Sequence, residues 1–183
     1  MLGDSLGMGV GASSFEKSVV GRVADYLAKN NYVVLNNLSA NGSKVQDLLN
    51  IKSPKNKIDL TIILISSNDV IRFTGFKSFE EDVKKVLEKC SKLSKKIIII
   101  GPANVSQARL LPLPLRIIYF YRVPKYAFLL EKVSSDFKKV SYINSANPPK
   151  KLGKYLDEYY STDKLHPNDQ GHKFWFEMIK EKL

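Results

Sequence analysis

Near-continuous runs of apolar residues at 58–65 and 97–100 constrain the fold of this chain more than any other feature. Such runs are typical of strands that are buried on both faces, which occur in parallel sheets covered by helices. Shorter runs at 32–35 and 140–143 predict two further strands, and Met1-Leu2 would form a short first strand.

The segments between these runs carry apolar residues at helical spacing. Helices are predicted over 19–27 and 79–93, one or two helical turns over 45–49, and a closing helix around 174–179. Strands that alternate with helices indicate parallel pairing and a doubly wound α/β sheet. With 183 residues, the chain is predicted to be one domain, 1–183, with an irregular apolar insertion at 104–130.

The charge balance, the absence of a nucleic-acid-binding motif and the single cysteine bear on the partners and the core of this chain. There are 29 Lys and Arg against 18 Asp and Glu, which gives a net charge of +11 and favours contact with anionic surfaces. No nucleic-acid-binding motif is recognisable, so specific nucleic-acid binding is not expected. The single cysteine, Cys90, lies on the apolar side of its helix and is predicted to be a core residue.

Targeting signals are not recognisable in the sequence. The most apolar stretch, 110–121, is too short and too interrupted by proline and arginine to span a membrane. The chain opens directly with Met1-Leu2-Gly3-Asp4, without a signal peptide. A cytoplasmic protein is the default expectation, but a trimmed N-terminus would hide a signal, so the compartment stays open.

Polar clusters follow the predicted strands. They are 3–7, 40–43, 66–69 and, across a longer loop, 163–168. Because ligands of such sheets bind beyond the carboxyl ends of the strands, these clusters are expected to meet at one edge. They contain Ser5, Gly42, Asn68, Asp163 and His166.

These residue types suffice for acyl transfer. Ser5 would be the nucleophile, His166 its general base, and Asp163 would fix the tautomer of the imidazole. The backbone N–H groups of Ser5 and Gly42 and the side-chain amide of Asn68 are candidates for the oxyanion hole.

Ser5 and the second histidine of the chain, His172, also have purely structural explanations. Ser5 could simply cap a helix, which is a common role of serine before helical residues. His172 is an alternative base, although its place in the closing helix favours a surface or capping residue.

The four blocks together resemble the SGNH (GDSL) hydrolase family, in that family's order. They are Gly3-Asp4-Ser5-Leu6, Gly42, Asn68-Asp69 and Asp163-x-x-His166. The resemblance implies a flavodoxin-like three-layer α/β/α sheet and ester hydrolysis by a Ser5-His166-Asp163 triad. Two departures from the family pattern are visible: Ser66 begins the third block where glycine is usual, and only two residues precede the first block.

The insertion at 104–130 is a candidate for substrate binding. Leu110, Leu111, Leu113, Leu115 and Ile118 could line an apolar lid over an acyl chain or touch a lipid surface. The alternative is a helical cap that packs on the core.

The predicted function is therefore a serine esterase or acylhydrolase that works through an acyl-enzyme and needs no metal or cofactor. Its substrate would be a small-molecule or lipid ester, with peripheral contact to an anionic membrane. A carbohydrate O-deacetylase of the same family is the alternative. From another class, a non-catalytic lipid- or membrane-surface-binding module stays open.

Overall fold

A four-stranded parallel sheet forms the centre of the protein. The computed structural model describes residues 1–52, 54, 56–146 and 156–183. The strands are β1 (Leu2–Gly3), β2 (Ile58–Leu64), β3 (Ser94–Ile100) and β4 (Val140–Ile143), and they lie side by side in chain order. The three predicted strands around 58–65, 97–100 and 140–143 are confirmed.

Six α-helices connect or flank these strands in the described part of the chain. They are α1 (Ser5–Met8), α2 (Val19–Ala28), α3 (Ser67–Ile71), α4 (Phe76–Leu93), α5 (Leu113–Ser135) and α6 (Asp169–Lys180). Short 3-10 helices occupy Val45–Asn50, Val105–Gln107 and Leu156–Tyr159.

Alternating side chains of the strands divide the core into two layers. Ile63, Ile97 and Ile99 pack with α4 and α5 on one face of the sheet. Ile62, Leu64, Ile98 and Ile100 pack with α2 and α6 on the other face. This is the three-layer α/β/α arrangement expected from the apolar runs.

The predicted strand at 32–35 is wrong. Tyr32 and Val34 are exposed, and the segment has no strand structure. Residues 36–40 run beside β1 instead: Leu38 N–H donates to Met1 O (2.9 Å) and Ala40 N–H to Gly3 O (3.0 Å). The β-branched run lies beyond the end of the very short β1 and therefore finds no strand to pair with.

The insertion at 104–130 is not irregular. Most of it belongs to α5, whose Tyr119, Val123, Tyr126 and Leu130 are buried in the core. Pro112 stands at the helix N-cap and Pro114 in the first turn, where proline needs no N–H partner. The prolines that suggested a loop are the residues at which this helix begins.

Cys90, on α4, is buried in the hydrophobic core, and burial raises the pKa of its thiol to about 11. This confirms the predicted core role.

Of the helices that the structure describes, none has the length and apolar character needed to cross a membrane.

Candidate active site

Ser5 lies at the sharp turn from β1 into α1. It is the first residue of that helix and is half-buried. Asp4 N–H donates to Leu64 O (3.0 Å), which attaches the turn to β2, and the Asp4 carboxylate accepts from Leu6 N–H (3.0 Å). The helix cap is therefore Asp4 and not Ser5, so the Ser5 hydroxyl is left out of the capping bond.

Asp4 is almost completely buried beside Ser5. Burial raises the pKa of its carboxyl to about 7, against the smaller lowering effects of the Leu6 N–H bond and of His166. The side chain holds the turn through its capping bond while carrying an unfavourable charge in neutral solution.

Asn68 and the Gly42 loop are joined by a hydrogen bond. The Asn68 side-chain amide donates to Ser43 O (3.1 Å), and the neighbouring Asp69 carboxylate accepts from Val45 N–H (3.0 Å). Gly42 has φ = 74°, and a Cβ atom there would lie 2.9 Å from Arg72 Nη2. The positive φ favours glycine at this position, whereas the only close side-chain atom belongs to the flexible end of Arg72.

Ser66 explains the departure in the third block. It has φ = 93°, a left-handed conformation that glycine adopts readily and L-residues rarely do. Ser66 is fully buried, and its hydroxyl donates to the carbonyl of Ile65. The turn that presents Asn68 keeps a glycine-like backbone although a serine occupies it.

Asp163 holds His166 by its ring and its backbone. The two side chains meet at 2.6 Å between Nδ1 and Oδ2, and the other carboxylate oxygen accepts from His166 N–H and Leu165 N–H (2.9 Å each). Ser161 Oγ donates to the same oxygen (2.7 Å).

These bonds determine the charge of Asp163. Partial burial raises its pKa, but the bonds from the His166 ring, the two backbone N–H groups and Ser161 outweigh that effect. The net result is a pKa well below the usual range, so the carboxylate stays ionised. An ionised carboxylate on Nδ1 favours the tautomer with the proton on Nδ1 and a free electron pair on Nε2.

The loop after α1 packs against the His166 loop. Gly11 has φ = 91°, and a Cβ atom there would lie 2.2 Å from Pro167 O and 3.3 Å from His166 Cβ. This close approach is open only to glycine.

His172 is not a surface residue, as its position in the closing helix had suggested, although its ring does cap the first backbone N–H of α2. It is completely buried: Nδ1 accepts from Val19 N–H (3.2 Å) and Nε2 lies 3.0 Å from Val10 O. Burial lowers the pKa of His172 despite the Val10 bond. Both ring nitrogens are engaged with the backbone, so this histidine has no free nitrogen with which to act as a base.

One cavity of about 160 Å³ collects the candidate residues. Ser5, Asn68 and His166 all line it. In the part of the chain that the structure describes, the Ser5 hydroxyl makes no hydrogen bond, either to His166 or to another group. Contacts of this kind are often loose before substrate binds.

Other predicted residues lie outside the cavity wall. Gly42 does not line it; the neighbouring residue, Ser43, accepts a hydrogen bond from Asn68, which does line it. None of the five apolar residues proposed for substrate binding lines it either: Leu110, Leu111, Leu113, Leu115 and Ile118. Leu111 and Leu115 pack against the core, and the other three are exposed. Their part in a lid stays a prediction.

The cavity wall contains residues that the sequence analysis did not name one by one, although three of them lie at the start of the predicted insertion at 104–130. Val105, Gln107 and Ala108 contribute from the turn before α5, and Tyr160 and Trp175 from the region around α6. Trp175 was expected only as part of an amphipathic helix. Its position, nine residues after His166, offered no signal beyond apolar spacing. Among the residues described, no group of His, Cys, Asp and Glu could hold a metal ion.

The sequence matches the model of the GDSL-like Lipase/Acylhydrolase family over residues 1–174. The chain belongs to this family. It is accordingly an ester hydrolase of the GDSL type, and the resemblance seen in the four sequence blocks is confirmed. The comparison with curated protein sequences finds no match.

Solved structures agree with this family fold. The lipase Lip_vut3 from a goat rumen metagenome superposes with a TM-score of 0.77 at 19% identity, over 98% of this chain and 94% of that one. TesA gives 0.71 at 18% identity, over 100% and 95%. A catalytic mutant of Axe2, an acetylxylan esterase from Geobacillus stearothermophilus, gives 0.72 at 16% identity, over 99% and 91%. At these identities the likeness establishes the fold.

Proposed function

We propose that this GDSL hydrolase cleaves carboxylic esters through a Ser5-His166-Asp163 triad. The observation that carries the proposal is the shared cavity of Ser5, Asn68 and His166, with the Asp163 carboxylate 2.6 Å from His166 Nδ1. Residues 1–183 would act as one catalytic domain, since the nucleophile and the base come from opposite ends of the sequence.

The first chemical step forms an acyl-enzyme. Ser5 Oγ attacks the ester carbonyl while His166 Nε2 takes the hydroxyl proton, which gives a tetrahedral oxyanion. Its collapse breaks the bond to the alcohol oxygen, and His166 returns the proton to the leaving alcohol. Asp163 stabilises the imidazolium that exists between these two events.

The second step releases the acid. Water attacks the acyl-enzyme carbonyl and gives a proton to His166, and the second tetrahedral intermediate collapses to free Ser5. This restores the proton to the serine oxygen, so no cofactor is consumed.

The oxyanion would be stabilised by three donors. They are the backbone N–H groups of Ser5 and Gly42 and the Asn68 amide, of which only the amide has a protein acceptor in the described residues. An amide has two hydrogens, so Asn68 can hold Ser43 O with one and offer the other to substrate. Loss of one such donor typically costs about 10²–10³ in rate.

Labelling with a fluorophosphonate tests the nucleophile directly. The expected result is stoichiometric labelling of the wild type, no labelling of Ser5→Ala, and strongly reduced labelling of His166→Ala. Ser13→Ala is the matched control, since that hydroxyl bonds to Asp169 on the surface. Wild-type protein that is folded yet unlabelled would contradict the triad and favour a non-catalytic lipid-binding module.

A carbohydrate O-deacetylase is the second candidate. The small cavity volume suits a short acyl group, and the aromatic side chains of Tyr160 and Trp175 in its wall could stack on a sugar ring. Axe2, with a similar fold, is an acetylxylan esterase. Equal rates on acetylated xylo-oligosaccharides and p-nitrophenyl acetate would favour the deacetylase, whereas preference for p-nitrophenyl octanoate would exclude it.

A further inference from the structure

The outward face of α5 carries large apolar side chains that nothing in the described chain covers. Leu113, Ile117, Phe120, Tyr121 and Phe128 are each more than half exposed. Isolated exposed apolar residues are normal, but a cluster on one helix face marks an interaction surface.

Helical geometry places these residues together. At roughly 100° per residue, all five fall within about 100° of arc on the side opposite to buried Tyr119 and Tyr126. The first sixteen residues of α5 are therefore apolar on both faces, which in a water-exposed helix is unusual. We call the exposed stripe of these five residues the α5 outer face.

The charged residues of α5 that precede Phe128 are all basic, and Glu131, which lies on the same side of the helix three residues after Phe128, is the first acidic residue of α5. The sequence contains no Asp or Glu between Glu88 and Glu131. Lys125 is exposed on the flank of the outer face, and its Nζ lies 5.5 Å from the Phe76 ring centre. The whole chain carries +11. Two copies of so basic a protein repel each other, whereas an anionic surface attracts it.

The outer face also adjoins the active-site cavity. Asn104 lines that cavity together with Ser5 and His166, and it lines a second cavity together with Phe120, Tyr121 and Lys125. A surface that binds the α5 outer face would therefore lie beside the active-site cavity.

We propose that the α5 outer face is a docking surface for an anionic lipid membrane. Its phenylalanine, tyrosine and aliphatic side chains would enter the membrane–water interface, and Lys125 would contact the lipid headgroups. The net positive charge of the protein would attract it to the anionic surface. This goes beyond ester hydrolysis, because docking is a binding property that a catalytically inactive protein would share.

Co-sedimentation with lipid vesicles tests the proposal. We expect wild-type protein to bind phosphatidylcholine vesicles that contain about 30% phosphatidylglycerol, and to bind pure phosphatidylcholine much more weakly. The triple variant Ile117→Ser, Phe120→Ser, Phe128→Ser should lose at least roughly tenfold in affinity for anionic vesicles. The matched control is Tyr32→Ser with Val34→Ser, which removes two exposed apolar side chains elsewhere and should bind as wild type.

The outcomes separate this proposal from the catalytic one. Ser5→Ala should bind vesicles as wild type does, and the triple variant should keep its fluorophosphonate labelling and its circular dichroism melting curve. Undiminished vesicle binding by the triple variant would overturn the proposal. So would a wild-type dimer in solution that the triple variant abolishes, since a second copy would then cover the face.

Discussion

Asp4 places an ionisable group in a position where its charge is unfavourable. The side chain is buried beside Ser5 and caps α1 through Leu6 N–H. Because burial raises its pKa from 3.8 to about 7, the folded protein keeps a proton that the unfolded chain has lost. The contribution of Asp4 to the free energy of unfolding therefore falls as pH rises from about 4 to about 7.

Asp4→Asn should remove this penalty while keeping the capping acceptor. We expect the free energy of unfolding to rise by more than about 1 kcal/mol at pH 8, and by much less at pH 4, where Asp4 is already neutral. Urea unfolding at both pH values measures it. Asp25→Asn, an exposed change, is the control. A gain that is the same at both pH values would show that the charge of Asp4 is not its source.

Ser66 holds a left-handed backbone with an L-residue. Ser66→Gly should raise the free energy of unfolding by up to about 1 kcal/mol, because relief of the unfavourable φ exceeds the loss of the hydroxyl bond to Ile65. Thermal melting measures the change. Ser66→Ala, which loses the hydroxyl but keeps the Cβ, should be destabilising; a stabilising alanine would argue against backbone strain.

At the scale of elements, His172 connects α6 to α2 and to the loop after α1. Its ring accepts from Val19 N–H and reaches Val10 O, and Gly11 then packs on the His166 loop. The buried imidazole of His172 thus holds α6, α2 and the loop after α1 together, and through that loop it supports the position of His166.

His172→Gln should lower the free energy of unfolding by about 1–3 kcal/mol, because buried backbone groups lose a partner. Burial lowers the pKa of His172 from 6.5, so the contribution of this histidine to wild-type stability should decline as pH falls below about 6.5, where the unfolded chain takes up a proton. The variant should lose this part of the decline. Urea unfolding between pH 5 and pH 8 measures both effects, with the exposed Lys173→Gln as control. An unchanged pH dependence in the glutamine variant would contradict the argument.

The α5 helix packs on the core as the helical cap that the sequence offered only as an alternative for the insertion. Its apolar residues occur all round the helix and its prolines lie at 112, 114 and 124, so neither periodicity nor composition indicated a helix. By contrast, α2 and α4 have one apolar face each and were predicted nearly to their ends. Periodicity identifies a helix only when water covers one side of it.

At the scale of the whole molecule, positive charge is in large excess. The described salt bridges are few and exposed, for example Lys95 with Asp59 and Lys132 with Glu80. Such pairs contribute little to stability, and the remaining lysines repel one another.

Sodium chloride should therefore raise the melting temperature between low salt and about 0.3 M, because it screens this repulsion. Differential scanning fluorimetry across a salt series measures the effect. Lys84→Glu with Lys85→Glu, on the exposed side of α4, lowers the net charge and should show a smaller salt response. A melting temperature that falls with salt would show that attractive pairs outweigh the repulsion.

The sequence by itself determined the layered sheet and the residues that face its edge. Apolar runs need burial on both faces, and Ser5, Asn68, Asp163 and His166 stand in blocks whose order is readable without coordinates. Only the tertiary structure decided which contacts these blocks make. Segment 36–40, and not 32–35, lies beside β1; His172 is a buried link and not a surface residue; and Val105 and Trp175 form the cavity wall. These outcomes depend on long-range approach between chain segments, and local periodicity carries no information about such distances.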